Sequence, residues 1–162
     1  MLLNGKSINT HVILISLGLM LMNIHGTNRN KTSASLNSTG MALVNSRLGE
    51  AEKKMLRMGL KRTHIIYQAT ASWYGAQFHG KTTANMETFD KTVLSAAHKT
   101  LPLNTYLLVT NLNNGKKVIV RVNDRGPYIE GRELDLSEAA ARLVGSYDKG
   151  VVPVRFEVLE SV

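Results

Sequence analysis

The sequence contains no cysteine. For these residues, that absence excludes disulfide bonds, thiolate metal sites, cysteine nucleophiles and cysteine-linked lipid anchors. Acidic residues are also scarce, with 12 Asp and Glu against 20 Lys and Arg, which gives a formal net charge of +8. A basic balance of this kind indicates an anionic partner, such as nucleic acid, an acidic lipid surface or an acidic polymer. The length of 162 residues suits one ordinary domain.

The amino-terminal residues have the pattern of an export signal. Lys6 adds a positive charge, residues 12–22 form an uncharged apolar run, and Gly26 is a small residue that could precede a cleavage site. A membrane span needs ~20 apolar residues, so this shorter run predicts a signal peptide over residues 1–26. An uncleaved membrane anchor and a buried core helix are the alternatives. We expect a periplasmic or secreted protein that is not lipid-anchored, because no cysteine is present.

Most of the positive charge lies in residues 27–64. This segment has no Trp, Tyr or Phe and carries eight basic residues against two acidic ones. Such a composition buries little apolar surface, so it predicts a basic, partly disordered linker, with the pattern of a short helix in residues 46–60. The linker either holds the protein to anionic envelope polymers or lipid, or is a solvated connection without a binding role.

Residues 65–162 change to short β-patterned runs and are nearly neutral, with 11 basic and 10 acidic residues. The low charge argues against a nucleic-acid-binding groove on this part of the chain. Strand patterns cover residues 65–74, 106–110, 118–122 and 151–159. Short strands of this kind favour a small β-barrel as the single folded domain, over residues 65–162.

Two local signals support this organisation. Asn114-Gly115 lies between two apolar runs, which predicts a hairpin with a type I′ turn whose central residues both have positive φ. Residues 137–144 give the one clear helix pattern, with Ser137 as N-cap and Gly145 just beyond its end.

Polar side chains cluster where several of these strands are expected to end. They lie in the segments Thr82-Thr83-Ala84-Asn85-Met86-Glu87, Ser95-Ala96-Ala97-His98 and Asn123-Asp124-Arg125-Gly126-Pro127. Each has a structural interpretation, since Asp124 can cap a turn, His98 can be a hydrogen-bonded structural histidine and Glu87 can be a surface charge. A carboxylate and a guanidinium placed at a strand end by a rigid strand can also act on a ligand. Nothing in these motifs requires a metal or another cofactor.

The ordered set of motifs resembles the RlpA (rare lipoprotein A) family. The matching residues are Ala71-Ser72-Trp73-Tyr74-Gly75, Phe78-His79-Gly80, Thr83-Ala84-Asn85 with Glu87, Ala96-Ala97-His98, Leu101-Pro102, Thr110-Asn111, Asn114-Gly115, Asn123-Asp124-Arg125-Gly126-Pro127 and Asp135-Leu136-Ser137. The resemblance implies a mainly β fold, a six-stranded double-psi β-barrel with one or two short helices. It also implies a bacterial envelope enzyme, an endolytic peptidoglycan lytic transglycosylase that prefers glycan strands without stem peptides.

By motif position, the resemblance places the catalytic residues at Asp124, Glu87 and His98. Asp124 is then the main general acid/base, Glu87 holds its charge state or stabilises the transition state, and His98 orients a carboxylate by a hydrogen bond. The candidates for binding the sugar are Tyr74, Trp73, Asn85, Arg125 and Tyr128. For the aromatic side chains a packing role is the alternative, and Arg125 could instead pair with a local acid.

Two residues depart from the pattern of the family. Met86 stands before Glu87 where members usually have Gly, and its Cβ would strain a turn that needs positive φ. Asn104 also replaces a usual Gly, although Asn tolerates left-handed φ better than other residues do. The alternative to an enzyme is a non-catalytic, expansin-like module that binds peptidoglycan. In either case we expect a monomer whose partner is the peptidoglycan glycan strand, with no nucleic-acid partner and envelope contact through the basic linker.

Overall fold

The computed structural model describes residues 48–162, so the predicted signal peptide and the first part of the predicted linker lie outside the described residues. Among the described residues, the strands are β1 (Leu60–Trp73), β2 (Ser95–His98), β3 (Tyr106–Asn111), β4 (Lys117–Asp124), β5 (Leu134–Leu136) and β6 (Val152–Ser161). The helices are α1 (Glu50–Arg57) and α2 (Glu138–Val144), with a short 3₁₀ turn at Ala76–Phe78. No helix in this part of the chain is long and apolar enough to cross a membrane.

The six strands close into a barrel in the order β1-β5-β2-β4-β3-β6. The pairs β1–β5 and β2–β4 are parallel, and the other four pairs are antiparallel. This architecture confirms the closed six-stranded barrel with two short helices. The strands β2 and β5 have only four and three residues, which is too short for a hydrophobic period to identify them.

The barrel is filled by small and branched apolar side chains. In β4 the side chains alternate between two faces, because Val118, Val120 and Val122 lie in the main core while Ile119 packs in a second cluster on the other face. In β6, Val152, Val154 and Phe156 enter the same main core. The remaining fully buried members come from the other strands and α2, namely Ala71, Ala96, Leu107, Val109, Leu134, Leu136, Ala140, Ala141 and Val144.

The α2 helix has the predicted ends. The Ser137 side chain accepts a hydrogen bond from the Ala140 amide, and Gly145 has a left-handed φ of 68°. The side-chain amides of Asn111 and Asn114 both donate to the Val144 carbonyl, at 3.0 and 2.9 Å. The hairpin between β3 and β4 therefore satisfies a carbonyl at the carboxyl end of α2.

The hairpin is confirmed, but the predicted type I′ turn is wrong. Gly115 has positive φ, whereas the non-glycine residues with positive φ in the described chain are His64, Met86 and Asn104. The Asn111 amide donates to the Lys116 carbonyl, so the loop covers residues 112–115 and is longer than a two-residue turn. A loop of this length needs left-handed φ at its glycine only, which leaves the Asn114 side chain free to reach α2.

The compact unit begins earlier than the boundary placed at residue 65, since it covers Glu50–Val162. Helix α1 packs Met55 against a cluster of Leu60, Leu108, Ile119 and Leu159. The first part of β1 pairs with the end of β6, and a register shift separates it from the rest of the strand. The polar composition of residues 61–64 hides this strand from a hydrophobicity pattern.

Candidate functional site

A β-bulge in β4 places Asp124 on the outer face of the barrel. Ala96 pairs with Val122 and Ala97 pairs with Asp124, so Asn123 is the extra residue. Ala96 and Val122 lie in the core, and regular alternation would turn Asp124 towards the same side as Val122. The bulge shifts the alternation by one residue and turns the Asp124 carboxyl outward beside Ala97.

A second carboxyl lies on the other side of Ala97. Strand β2 also pairs with β5, where Ala97 is opposite Asp135, and Asp135 is in turn opposite Ser72 of β1. Since neighbouring strands are about 4.8 Å apart, the Cα atoms of Asp124 and Asp135 are separated by roughly 10 Å. We call Ser72, Tyr74, Ala97, Asp124 and Asp135 the acidic face.

Asp124 accepts three hydrogen bonds. Its Oδ1 accepts from the backbone amides of Ala84 at 2.9 Å and Arg125 at 2.8 Å, and its Oδ2 accepts from the Tyr74 hydroxyl at 3.2 Å. The Tyr74 ring is only 9% exposed and packs against Phe89, with the ring centres 4.9 Å apart. Burial, followed by the charges of Asp124 and Asp135, raises the pKa of Tyr74, so its hydroxyl remains a donor.

Asp135 differs from Asp124 in its surroundings. The Ser72 hydroxyl donates to its Oδ1, and the neighbouring strand residues Leu134 and Leu136 are fully buried. Burial raises the pKa of Asp135, although the hydrogen bond from Ser72 and the charge of Arg132 act in the opposite direction. These surroundings favour the protonated carboxyl of Asp135 more than solvent would. Our sequence reasoning gave Asp135 no role, although a lone acid between two leucines in a strand was a usable signal.

Glu87 lies on a tight loop that we call the Glu87 loop (residues 82–88). Thr82 and Thr88 form an isolated β-bridge at its base, and the Thr83 amide donates to the Glu87 carbonyl at 2.8 Å. Met86 at its tip has a φ of 68° and is 83% exposed. The positive φ expected at this position is therefore present, with the side chain pointing into solvent.

The Glu87 side chain is paired with Arg121, which sequence reasoning missed. Arg121 donates Nη1 to Oε1 at 2.8 Å and Nη2 to Oε2 at 2.7 Å, a two-point contact. This pairing lowers the pKa of Glu87 to about 2. Glu87 is therefore ionised at neutral pH and does not serve as a proton donor there. An arginine in an otherwise valine-rich strand was the signal that could have found its partner.

His98 is at the end of β2 and is half-buried. Its Nδ1 accepts hydrogen bonds from the amides of Thr100 at 3.2 Å and Leu101 at 3.0 Å, so the proton of the neutral ring is on Nε2. Burial lowers the pKa of His98, and the positive charges of Arg125 and Lys99 act in the same direction. Among residues 48–162, the hydrogen bonds do not include one from His98 to a carboxylate.

The sugar-binding candidates fall into two groups. Trp73 stacks on Tyr147, with ring centres 4.5 Å apart, and packs against the core, while the buried Tyr74 presents no free ring face. Both rings therefore have packing contacts, which agrees with the alternative role given for them above. Tyr128 is 81% exposed and follows the bulged strand end, so its ring is available to a sugar.

The polar candidates hold loops in place. Arg125 donates Nη1 to the carbonyls of His98 at 3.1 Å and Leu101 at 2.8 Å. The Asn85 side-chain oxygen accepts from the Thr83 hydroxyl at 2.6 Å and from the Glu87 amide at 3.3 Å. In the described part of the chain, no group of three or more His, Asp and Glu side chains could hold a metal ion.

Comparison with known proteins places these residues in a family. Residues 66–156 match the family model described as lytic transglycolase, and this range contains the acidic face and the Glu87 loop. The match and the closed six-stranded topology confirm the double-psi β-barrel.

Curated relatives carry the same domain. The chain is similar to the endolytic peptidoglycan transglycosylase RlpA of Campylobacter jejuni, with 57% identity over 89 residues, covering 55% of this chain and 32% of that protein. It is similar to the RlpA of Pseudomonas aeruginosa UCBPP-PA14, with 57% identity over 93 residues, covering 57% of this chain and 27% of that protein. For a probable RlpA of Aquifex aeolicus the identity is 50% over 101 residues, covering 62% and 45%. The aligned part of the chain spans about a third of the length of the first two relatives.

Proposed function

Because the chain belongs to the lytic transglycolase family, we propose that it is an endolytic peptidoglycan lytic transglycosylase. It cleaves the β-1,4 bond between N-acetylmuramic acid and N-acetylglucosamine, preferably in strands without stem peptides, and leaves 1,6-anhydromuramyl ends. The observation that carries the proposal is the placement of Asp124 and Asp135 on one outer face of the barrel, with Ala97 between them. Since peptidoglycan lies in the bacterial cell envelope, the proposal also requires export of the protein.

The reaction begins with protonation of the glycosidic oxygen. A carboxylic acid can do this near neutral pH only if its environment favours the protonated form. Burial raises the pKa of Asp135, whereas the pairing with Arg121 lowers that of Glu87. Asp135 is therefore the group that donates a proton to the leaving oxygen as the bond from muramyl C1 breaks.

The muramyl C6 hydroxyl then closes onto C1, and its proton must be removed. Asp124 lies on the same face as Asp135, where three hydrogen bonds from protein donors hold its carboxyl in place, and it takes this proton. One proton leaves Asp135, one arrives at Asp124, and exchange with solvent restores both groups. No water is consumed. This proposal divides between two residues the acid–base role that the sequence assigned to Asp124 alone.

Glu87 and His98 assist without transferring the proton. Glu87 supplies a fixed negative charge that stabilises the positive charge developing near C1. His98 is neutral, with Nδ1 occupied by backbone amides, so Nε2–H is the donor it offers to a sugar or a carboxylate. Tyr128 provides the exposed ring for stacking.

Product analysis tests the function. Purified glycan strands without stem peptides are incubated with the protein, and the new ends are identified by mass spectrometry. Anhydromuramyl ends support the proposal, hydrolysed reducing ends indicate a glycoside hydrolase, and intact glycan that is still bound indicates the non-catalytic module.

Asp124→Asn should fold and bind glycan, yet release roughly 10²–10⁴-fold less product, because it cannot accept the proton. The matched control is Asp148→Asn, the same change at an exposed aspartate.

A second measurement separates the roles of the two aspartates. A muramyl oligomer with a nitrophenol leaving group needs little protonation at the leaving oxygen. This substrate should restore much of the activity of Asp135→Asn but little of that of Asp124→Asn. The reverse result would assign the acid to Asp124, as the sequence first indicated.

A further inference from the structure

The position of the Glu87 carboxylate needs an explanation, because neither its burial nor its loop fixes it. The side chain is 44% exposed, and the neighbouring Met86 adopts a left-handed φ of 68° that costs an ordinary residue about 1–2 kcal/mol. The backbone bonds of the Glu87 loop define the course of the chain but not the direction of this carboxylate. The contact that does define it is the two-point hydrogen bond from Arg121.

Arg121 is itself well anchored. Its backbone lies in the interior of the sheet, where it pairs with Ser95 of β2 and Tyr106 of β3, and its amide donates to the Leu94 carbonyl at 3.2 Å. Its guanidinium makes a further hydrogen bond from Nη1 to the side-chain oxygen of Asn104 at 2.7 Å. The arginine therefore reaches the Glu87 loop from a rigid strand with its side chain held at two places.

Asn104 connects this arginine to the loop. Its amide donates to the Val122 carbonyl at 2.7 Å, and its φ of 70° is one that asparagine tolerates. Its Oδ1 also lies 3.4 Å from the side-chain nitrogen of Asn85, which is part of the Glu87 loop. Asn85, Asn104, Arg121 and Glu87 thus form a continuous polar cluster along one side of the loop.

We propose that Arg121 is the positioning residue that fixes the Glu87 carboxylate on the loop whose Ala84 amide donates to Asp124, and that Asn104 orients the Arg121 guanidinium. This inference rests on the proposed transglycosylase function. A planar guanidinium that donates to both carboxylate oxygens fixes direction as well as distance, which a lysine cannot do. Electrostatic stabilisation of a transition state depends on such preorganised charge, so Glu87 acts as a fixed anion and not as a proton carrier.

The charge state of Glu87 follows from the same contacts. Arg121 of β4 is the charged group that acts on Glu87, hydrogen bonds of Asn123 and Asn85 add to its effect, and Tyr106 of β3 faces the guanidinium. Together they lower the pKa of Glu87 to about 2. Glu87 must be ionised to act, so its contribution is lost as pH falls through this pKa. Loss of Arg121 moves that limit upward, towards the ordinary value of 4.5.

The test follows the Glu87 carboxyl carbon by NMR titration in the full chain and measures product release against pH. In the wild type, Glu87 should titrate near pH 2. In Arg121→Gln the pKa of Glu87 should rise towards 4.5, so activity should be lost at a higher pH than in the wild type. At neutral pH, kcat should fall roughly 10- to 100-fold, with a smaller change in KM. Arg121→Lys should give an intermediate pKa, because it keeps the charge and loses the second hydrogen bond.

Two further variants make the result decisive. Asn104→Gly keeps the left-handed backbone and removes the side chain, so it should raise the Glu87 pKa, by less than Arg121→Gln does. This variant keeps the inference testable if Arg121→Gln folds poorly. Arg155→Gln changes a half-buried arginine of β6 and should leave the titration unchanged. An ordinary Glu87 pKa in the wild type, or an unchanged one in both Arg121→Gln and Asn104→Gly, would overturn the inference. Absence of anhydromuramyl products from the wild type would overturn the proposed function alone, since the titration does not depend on activity.

Discussion

Asp135 shows at the level of one residue how a group with a proposed catalytic role can oppose stability. Burial raises its pKa, which means that the ionised carboxyl is less favourable in the folded state than in the unfolded chain. Below the ordinary aspartate pKa of 3.8 both states carry the proton and this penalty is absent. As pH rises above the unfolded pKa the penalty develops, and it reaches its full size once pH has passed the folded pKa.

Asp135→Asn should therefore be more stable than the wild type at pH 7 and nearly inactive on natural glycan. Asparagine can still accept the hydrogen bond from Ser72, but it donates no proton, so product release should fall roughly 10²–10⁴-fold. Melting temperatures measured from pH 3 to pH 8 should show a gain at neutral pH that shrinks at the acidic end. A lower melting temperature at pH 7 would contradict this account of the Asp135 environment.

Met86 gives the opposite case, an exposed residue in an unfavourable conformation. Its φ of 68° suits glycine, and its side chain is 83% exposed, so little packing is lost on removal. Met86→Gly should stabilise the fold by about 0.5–1 kcal/mol, which is the relief of left-handed strain less the greater freedom of glycine in the unfolded chain. Met86→Ala retains the Cβ and should show no such gain. Denaturant unfolding of both variants measures the difference.

The sequence motifs placed Asp124 and Glu87 among the candidate site residues, because both lie in segments that resemble those of the family. The outward direction of Asp124 was not predictable, since it depends on one bulged residue, Asn123, in a strand whose alternation alone would turn it inward. Arg121 and Asp135 were missed for a related reason. Each becomes a neighbour of the site only through strand pairing across the barrel.

At the level of elements, the carboxyl-terminal strands and α2 were recognisable because their apolar residues repeat with the right period. The short helix predicted within residues 46–60 is present as α1. The start of β1 was not recognisable, because its residues are polar and are joined to the rest of the fold partly through charge. Arg62 pairs with Glu157 at 3.2 Å and with Glu52 at 3.3 Å, and Lys117 also reaches Glu52. Such long-range pairs leave no periodic signal in the sequence.

A chain beginning at Ile65 should be less stable than a chain beginning at Leu48. It lacks Met55 and Leu60, and exposes the side chains of Leu108 and Leu159 that they cover. Loss of two buried apolar residues should cost roughly 3 kcal/mol or more, besides the lost pairing with β6. Thermal melting of the two chains gives the comparison, with the full chain as reference. Equal melting temperatures would support a folded domain that begins at residue 65, as the sequence predicts.

The same shortening should affect catalysis much less than stability. Ser72 of the acidic face lies near the end of β1 that is opposite Leu60, and Tyr74 follows just beyond that end. Below its melting temperature, the chain beginning at Ile65 should therefore still form anhydromuramyl products. Loss of activity in a sample that remains folded would show that α1 supports the site and not only the barrel.

At the level of the whole molecule, the amino-terminal residues predict where in the cell the protein is found. If residues 1–26 are a signal peptide, the exported protein should begin near Thr27. Amino-terminal sequencing of protein recovered from the envelope measures this directly. Recovery from the cytosol with Met1 intact would contradict both the export and the proposed substrate.

The distribution of charge predicts a separate role for residues 27–47 in binding to the wall. They carry Arg29, Lys31 and Arg47 and no acidic residue, whereas residues 65–162 are nearly neutral. A chain beginning at Leu48 should match one beginning at Thr27 in melting temperature and in activity on soluble glycan, but bind anionic wall material more weakly. The difference should be clear near 0.01 M salt, where charges act over about 30 Å, and fade above 0.1 M, where the range is about 10 Å.

Replacing the three basic residues with Gln in the longer chain should reproduce the weaker binding in a sedimentation assay. Equal binding by both chains at low salt would leave this segment as a solvated connection.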